Sequence, residues 1–236
     1  MSTPPVQFET IAEDALLLRF GEHIDIAVNA RVLAACTRLQ HALPRLECVP
    51  AYASLLLRFD PLAWGSSVAS DPQKRLREAV LAALAGAAEA VAPTREHVIP
   101  VCYGGACGPD LGEVASHCGL STDEVIARHV GAEYQVAMIG FAPGFPYLLG
   151  LDPTLAMPRR RDPRQRVAAG SVAIGGSQTG IYPEPLPGGW QLIGRTPLRL
   201  FDVSAERPSL LAAGDHVRFH AMGDDEFSRW EAEQPR

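Results

Sequence analysis

Five arginines lie close together in the segment P-R-R-R-D-P-R-Q-R-V, between Pro158 and Val167. They are Arg159, Arg160, Arg161, Arg164 and Arg166. Because a guanidinium group holds carboxylate or phosphate oxygens with paired N–H donors, the segment predicts anion binding. Its prolines exclude a regular helix and favour a constrained loop. The alternative is a solvated surface loop that Asp162 partly neutralises.

Three further polar positions could contact a ligand. Arg195 follows Gly194 and is another candidate anion contact. Gln178 lies in G-G-S-Q-T-G, whose backbone N–H groups could cradle an oxyanion, although the segment lacks the lysine of a nucleotide-binding loop. Tyr182 follows shortly after and could add a hydroxyl. A tight turn between two strands explains the glycines equally well.

Two aromatic segments could form the apolar part of a pocket. The stretch G-F-A-P-G-F-P-Y-L sets Phe141, Phe145 and Tyr147 on a backbone stiffened by proline, with Gly144 between them. The turn P-G-G-W-Q places Trp190 where it could line a pocket or plug the end of a barrel. A packed barrel corner is the alternative for the first segment.

Common catalytic and metal signatures do not occur in the sequence. His216 and His220 share one face of a predicted strand, but four residues along a strand span about 13 Å, too far for one metal ion. There is no G-x-S-x-G and no H-E-x-x-H, and the five cysteines lack C-x-x-C spacing. We therefore predict no metal site and name no catalytic base.

Composition limits the class of protein. The chain has 236 residues, a formal charge of -6 and 47% hydrophobic residues, values typical of a folded globular protein. The negative charge argues against nucleic-acid binding, and no stretch approaches the roughly 20 apolar residues that span a bilayer. We expect a cytoplasmic protein without a membrane segment.

The elements that must position these residues fall into two blocks, so we predict an α+β fold. Residues 1–95 read as strand, helix, strand, strand and helix, and with a strand from residue 96 they suggest a ferredoxin-like α/β sandwich. Residues 96–225 carry capped helices at 110–117 and 121–129 and many short strands between Gly/Pro turns, which indicates a β-barrel. Residues 226–236 form a C-terminal tail.

Four stretches carry a resemblance to a known family. They are V-C-Y-G-G-A-C-G-P-D-L, G-F-A-P-G-F-P-Y-L, the arginine segment continued through G-S-V-A-I-G-G-S-Q-T-G-I-Y-P, and P-G-G-W-Q-L-I-G-R-T-P-L-R-L-F-D. The chain resembles the family of 5-oxoprolinase B subunits (PxpB), also called allophanate hydrolase subunit 1 or KipI-like. The resemblance covers about the whole chain and is specific from Cys102 to Asp215.

The resemblance implies a cyclophilin-like barrel after the ferredoxin-like domain, and one component of an ATP-dependent enzyme. With the A and C subunits of that enzyme it would open 5-oxo-L-proline to L-glutamate, with the ATP site shared with or located on a partner. The family motifs mark substrate or anion contacts at Arg159, Arg160, Arg164, Gln178, Tyr182, Trp190 and Arg195. They mark a pocket wall at Phe141, Gly144, Phe145 and Tyr147.

Two other activities stay open under the same resemblance. One is inhibition of sensor histidine kinase autophosphorylation, which would need an exposed apolar patch on the barrel. The other is a module of a biotin-dependent urea or amide carboxylase and hydrolase system, which would need a biotin carrier partner.

Overall fold

The structure is a computed structural model, and it describes residues 6–64, 71–85 and 94–233. The chain divides into two compact units, Met1–Pro93 and Thr94–Arg236. No helix in the described ranges is both long enough and apolar enough to cross a bilayer.

The N-terminal unit is an antiparallel four-stranded sheet with helices. Its strands are β1 (Gln7–Ala12), β2 (Ala15–Arg19), β3 (Glu47–Pro50) and β4 (Ser54–Arg58), in the order β1-β2-β4-β3. Its helices are α1 (Ile26–Ala42), α2 (Pro61–Trp64) and α3 (Pro72–Ala85). The predicted strands and both long helices of this block are present, and the end of the second helix falls outside the described residues.

Alternation in two leucine-rich strands forms the core of this unit. Leu16 and Leu18 of β2 are opposite Leu57 and Leu55 of β4, and all four are fully buried. Such cross-strand apolar pairs on one face are the main source of sheet stability. The helix α1 begins at Ile26, where the Asp25 side chain caps it by accepting the backbone N–H of Val28 at 2.9 Å.

The ferredoxin-like strand arrangement is not confirmed. The strand predicted to close the sheet, from residue 96, belongs to the C-terminal unit. Instead, Gln7–Ala12, which the hydrophobic pattern did not predict, pairs with β2 at the sheet edge. Its side chains are mostly exposed, so it carries little of the hydrophobic alternation that identifies a strand.

The C-terminal unit is built around a closed barrel, as predicted. Its strands are β5 (Glu96–Tyr103), β6 (Tyr134–Ile139), β7 (Pro146–Leu149), β8 (Arg164–Val167), β9 (Ser171–Gly175), β10 (Gln178–Ile181), β11 (Leu186–Gly188), β12 (Gln191–Arg195) and β13 (His216–Met222). The barrel order is β10-β7-β6-β13-β5-β12-β9, and β8 and β11 form a separate ribbon. Its helices are α4 (Leu111–Cys118), α5 (Thr122–Gly131) and α6 (Asp224–Glu233), with a 3₁₀ turn at Pro153–Leu155.

The barrel is closed by contacts between segments far apart in sequence. Strand β13 runs parallel to β5, from His216 opposite Glu96 to Met222 opposite Cys102. The buried carboxylate of Asp215 supports the start of this pairing, because it accepts the Arg95 backbone N–H at 3.2 Å and contacts His97 Nε2 at 3.1 Å.

Local signals position the helices beside the barrel. The predicted capping box of α5 is present, with the Ser121 side chain accepting from the Glu124 backbone N–H and Glu124 Oε2 accepting from the Ser121 N–H at 2.8 Å. Residues 198–201, which follow a Gly/Pro turn, form no continuous strand, and Phe201 makes a single isolated bridge with Ser209. The tail predicted at 226–236 overlaps α6, whose Phe227 is buried.

Candidate functional site

One cavity of the C-terminal unit collects most of the predicted site residues. It has a volume of about 210 Å³. It is lined by Phe141, Phe145, Tyr147, Arg159, Arg160, Pro163, Tyr182, Pro187, Gly188, Gly189 and Trp190. The arginine segment, the loop before β7, the end of β10 and the turn before β12 therefore meet at one place.

The interior of the cavity is aromatic. Phe145 contacts Tyr182 and Trp190 edge to face, with ring centroids 5.2 and 5.8 Å apart, and Tyr147 contacts Trp190 at 5.9 Å. These geometries suit the quadrupoles of the rings and hold them rigidly. Glycine is required beside them, because a Cβ on Gly188 would overlap the Tyr182 hydroxyl.

Arg159 supplies the exposed positive charge of the cavity. Its guanidinium carbon lies over the Trp190 ring, 5.5 Å from the centroid. A cation in this position is oriented by the ring and keeps donors free for a ligand. Burial raises the pKa of Tyr182, against a hydrogen bond from the Trp190 backbone N–H and the charge of Arg159, so its hydroxyl stays protonated at neutral pH.

Arg160 and Arg164 have a different role from Arg159, because both are paired with a buried carboxylate. Asp110 Oδ1 accepts from Arg164 Nη2 at 2.7 Å and from Arg160 Nη1 at 3.3 Å, and Asp110 Oδ2 accepts the Leu192 backbone N–H at 2.7 Å. Arg160 still lines the cavity, whereas Arg164 lies on β8 and does not. Arg160 Nε and Arg164 Nη1 are buried without a partner among the described residues.

Sequence reasoning missed Asp110 as a member of this site. It identified the residue as the start of a helix, and Asp110 does occupy the N-cap position of α4, but its side chain makes no capping hydrogen bond. The carboxylate turns instead toward arginines 50 and 54 residues away. No local sequence signal identifies this pairing, because Asp110 and the arginines are separated by at least 50 residues and meet only in the folded unit.

Phe141 lies at the rim of the cavity on a strained backbone. It is the non-glycine residue with a positive φ, 69°, among those described, and its side chain is 61% exposed. The Ala142 N–H donates to the Gly140 carbonyl at 2.8 Å, which closes a three-residue turn around it. A bulky residue in this region costs energy, which is typical of ligand sites.

The remaining predicted residues lie elsewhere in this unit. Gln178 begins β10 opposite Gly175, in a hairpin. Gly144 is a packing position, since a Cβ there would lie 2.8 Å from the Cβ of Phe201. Arg195 lines a separate groove of about 540 Å³, where it donates to the Ala169 carbonyl at 2.8 Å and pairs with Glu231 at 3.0 Å.

A buried histidine that no sequence motif singled out lies near the end of α5. His129 is fully buried, with Nδ1 at 2.8 Å from the Tyr103 hydroxyl and Nε2 at 3.2 Å from Thr179 Oγ1. Thr179 donates its own proton to the Ala173 carbonyl, so it accepts from His129 Nε2, and Tyr103 donates to Nδ1. Burial lowers the pKa of His129 to about 3, so the ring is neutral.

The glycine-rich hairpin and the acidic, histidine and cysteine side chains were the places where the sequence could offer a phosphate loop or a metal site. Gly175 packs against the Trp190 ring and Gly176 turns the β9–β10 hairpin, so the G-G-S-Q-T-G segment does not lead into a helix N-terminus that would hold phosphate. Within ranges 6–64, 71–85 and 94–233, no group of three or more His, Cys, Asp or Glu residues could hold a metal ion.

Comparisons with known proteins confirm the resemblance. Residues 6–211 match the family model described as carboxyltransferase domain, subdomain C and D. The chain is 43% identical to the 5-oxoprolinase B subunit of Bacillus subtilis (strain 168) over 233 residues, covering 96% of this chain and 97% of the relative. It is also 43% identical to the 5-oxoprolinase B subunit of Escherichia coli O157:H7, covering 89% and 93%.

A solved structure shows the same fold within a longer polypeptide. The crystal structure of TTHA0988 superposes with a TM-score of 0.75 at 42% identity, covering 89% of this chain. The chain spans 40% of the length of TTHA0988. Identity of this size over nearly the whole length of the two bacterial relatives leaves one conclusion: this chain belongs to the family of 5-oxoprolinase B subunits.

Proposed function

We propose that this chain is the B subunit of an ATP-dependent 5-oxoprolinase and that, with the A and C subunits, it opens 5-oxo-L-proline to L-glutamate. The family relatives support the assignment of the reaction. The observation that carries the proposal is the small aromatic cavity with Arg159 stacked over Trp190. It combines an apolar surface for a ring with a cation for a carboxylate.

The size of the cavity supports a small ligand. Its volume of about 210 Å³ is below the roughly 300–1,000 Å³ of pockets that hold drug-sized ligands. A five-membered lactam with one carboxylate is of the appropriate class. Its ring methylenes would pack on Phe145 and Trp190, and its carboxylate would face Arg159.

The contribution of this chain is binding and orientation. Hydrolysis of the lactam adds a water oxygen to the carbonyl carbon, breaks the C–N bond and leaves a proton on the released nitrogen. Among the residues that line the cavity, the charged side chains are arginines, which remain protonated, so they cannot act as a base. Tyr182 can donate a hydrogen bond to a lactam oxygen. We therefore expect the isolated chain to be inactive.

The ATP site is proposed to lie on a partner protein or at an interface with one. The cavity is too small for a nucleotide, and the glycine-rich hairpin does not form a phosphate cradle. A tight complex with the C subunit of 5-oxoprolinase, and a further association with the A component, would supply the nucleotide site and the groups that transfer protons. We place this assembly in the cytoplasm.

The test is release of glutamate from 5-oxoproline and ATP by a mixture of this chain with the A and C subunits of 5-oxoprolinase from the same organism. Each of the three proteins is omitted in turn. Activity that requires all three supports the proposal. No glutamate from the full mixture, with the proteins folded and associated, contradicts it and leaves histidine kinase inhibition or a biotin-dependent carboxylase system to be tested.

A further inference from the structure

Asp110 connects three parts of the site through one buried side chain. The residue is 4% exposed, and both of its carboxylate oxygens accept hydrogen bonds, one from Leu192 and the other from Arg160 and Arg164. A buried carboxylate is stable only when it is paired and hydrogen-bonded in this way. Three donors on two oxygens fix the side chain in one orientation.

The backbone of Asp110 is fixed equally well. Its N–H donates to the Leu192 carbonyl at 2.9 Å, while its Oδ2 accepts the Leu192 N–H at 2.7 Å. This reciprocal pair joins the start of α4 to β12, two residues beyond Trp190. The carboxylate therefore has a fixed position relative to β12, which begins directly after Trp190 of the cavity.

The arginine segment is also hydrogen-bonded to the two neighbours of Trp190. The Arg160 backbone N–H donates to the Gly189 carbonyl at 2.7 Å, and Gln191 Nε2 donates to the Pro158 carbonyl at 3.0 Å. The guanidinium groups of Arg160 and Arg164 complete the attachment through Asp110. Arg159, between two such anchors, has a fixed backbone from which its side chain reaches the Trp190 ring.

The buried donors show why Arg164 is not a ligand contact. Its Nη1 is buried, its Nη2 is bonded to Asp110, and its side chain is 25% exposed. A ligand in the cavity cannot reach these atoms without displacing the protein. Arg160 is shared, because Nη1 faces Asp110 while the residue still lines the cavity.

The geometry points to Asp110 as a positioning residue that orients Arg160 and Arg164 so that Arg159 and Arg160 form a receptor for the carboxylate of the substrate. The inference rests on the proposed function and states how the carboxylate of 5-oxoproline is recognised. Asp110 does not touch the ligand. It acts through the arginines and prevents them from repelling one another, since like charges in a partly buried site destabilise it.

The experiment measures binding of two ligands to the full-length chain by ligand-observed NMR, without partner proteins. The ligands are 5-oxoproline and pyrrolidin-2-one, the same lactam without the carboxylate. The variant is Asp110→Asn, which leaves the size of the side chain almost unchanged but sets an amide N–H against the donors of Leu192 or the arginines. The matched control is Asp162→Asn, which removes an exposed acid from the same segment.

We expect Asp110→Asn to weaken 5-oxoproline binding by about 10-fold to 100-fold, the loss of one or two charge-assisted hydrogen bonds. Binding of pyrrolidin-2-one and the near-UV circular dichroism should stay the same, and Asp162→Asn should resemble the wild type. Equal loss of both ligands would overturn the inference, because it would show a structural role. Unchanged 5-oxoproline binding in Asp110→Asn would also overturn the inference. So would a wild-type chain that binds 5-oxoproline no more tightly than pyrrolidin-2-one.

A second variant covers the case in which Asp110→Asn fails to fold. Arg164→Lys keeps the charge but removes the planar donor that contacts Asp110 at 2.7 Å. It should lower the preference for 5-oxoproline over pyrrolidin-2-one in the same direction, and an unchanged preference would overturn the inference. The two proposals can fail separately. If the assembled proteins release no glutamate but the preference for 5-oxoproline over pyrrolidin-2-one still depends on Asp110, the proposed reaction is wrong and the carboxylate receptor is supported.

Discussion

The guanidinium of Arg159 lies over the indole of Trp190, with 5.5 Å between its central carbon and the ring centroid. The two residues come from segments that are 31 positions apart, and they meet because β8 and β11 pair between them. The indole holds the cation by its quadrupole rather than by a competing anion. Arg159 is thus oriented and still able to bind a carboxylate.

Replacing Arg159 by alanine should weaken 5-oxoproline binding by about 10-fold to 100-fold, because the carboxylate loses a charge-assisted donor. Arg159→Lys should recover only part of this affinity, since an ammonium lacks the planar fork that stacks on the ring. Calorimetric titration of the folded chain measures both. Arg161→Ala, at the exposed position two residues along, is the control. Equal effects at 159 and 161 would show that only net charge matters.

Gly175→Ala should distort the cavity by displacing the Trp190 ring. A Cβ at this position would lie 2.5 to 2.7 Å from atoms of the Trp190 ring, so the ring must move. Overpacking of this kind costs about 1–3 kcal/mol of unfolding free energy, and we expect loss of 5-oxoproline binding with it. Urea denaturation and titration measure the two effects.

Gly112→Ala is the matched control for that substitution. Gly112 lies in α4, and a Cβ there meets no atom within 4 Å. Because alanine is the better helix former, this variant should gain about 0.5–1 kcal/mol and bind normally. Unchanged stability and binding in Gly175→Ala would show that Trp190 adapts without cost.

His129 should make stability depend on pH below neutrality. Its pKa is about 3 in the folded barrel because of burial, and about 6.5 in an unfolded chain. Between these two pH values the unfolded state binds one more proton at His129 than the folded state does. The contribution of His129 to the free energy of unfolding is therefore complete above about pH 6.5 and is lost as the pH falls toward 3. The slope approaches about 1.4 kcal/mol per pH unit.

The measurement is the free energy of unfolding from urea titrations between pH 4.5 and 7.5. His129→Gln removes the titrating ring and should flatten the profile relative to the wild type. His117→Gln, at an exposed position on α4, should leave the profile unchanged. A wild-type profile that matches that of His129→Gln would mean that the ring is accessible to protons in the folded state.

Arg195→Ala should affect the C-terminal helix rather than the ligand. Its guanidinium lies 5.6 Å from the centroid of the Phe227 ring and pairs with Glu231, both on α6. Hydrogen exchange of the α6 amides should become faster, while 5-oxoproline binding changes by less than about twofold, as expected of a contact outside the cavity. Loss of ligand affinity with normal exchange would return Arg195 to the binding site.

Local sequence rules predicted the parts of the structure that depend on neighbours in the chain. The Ser121 and Glu124 capping box and the alternating leucines of β2 and β4 act within four residues or along one strand. Strand β1 was not predicted because its side chains are mostly exposed and its place is decided by β2. The strand from residue 96 lies in the predicted barrel range 96–225 but was also counted in the ferredoxin-like sheet, because its parallel barrel partner begins only at His216.

The amino-acid sequence was sufficient to predict the barrel, the family and the clustering of arginines and aromatic residues around one site. The fold in three dimensions was needed to show that Arg159 stacks on Trp190 while Arg160 and Arg164 pair with Asp110. The side chains of Arg159, Arg160 and Arg164 are chemically identical, and their roles differ because Asp110, 50 residues from Arg160, pairs with two of them and leaves the third on Trp190. Such a division depends on distances in space that local propensity and residue type do not encode.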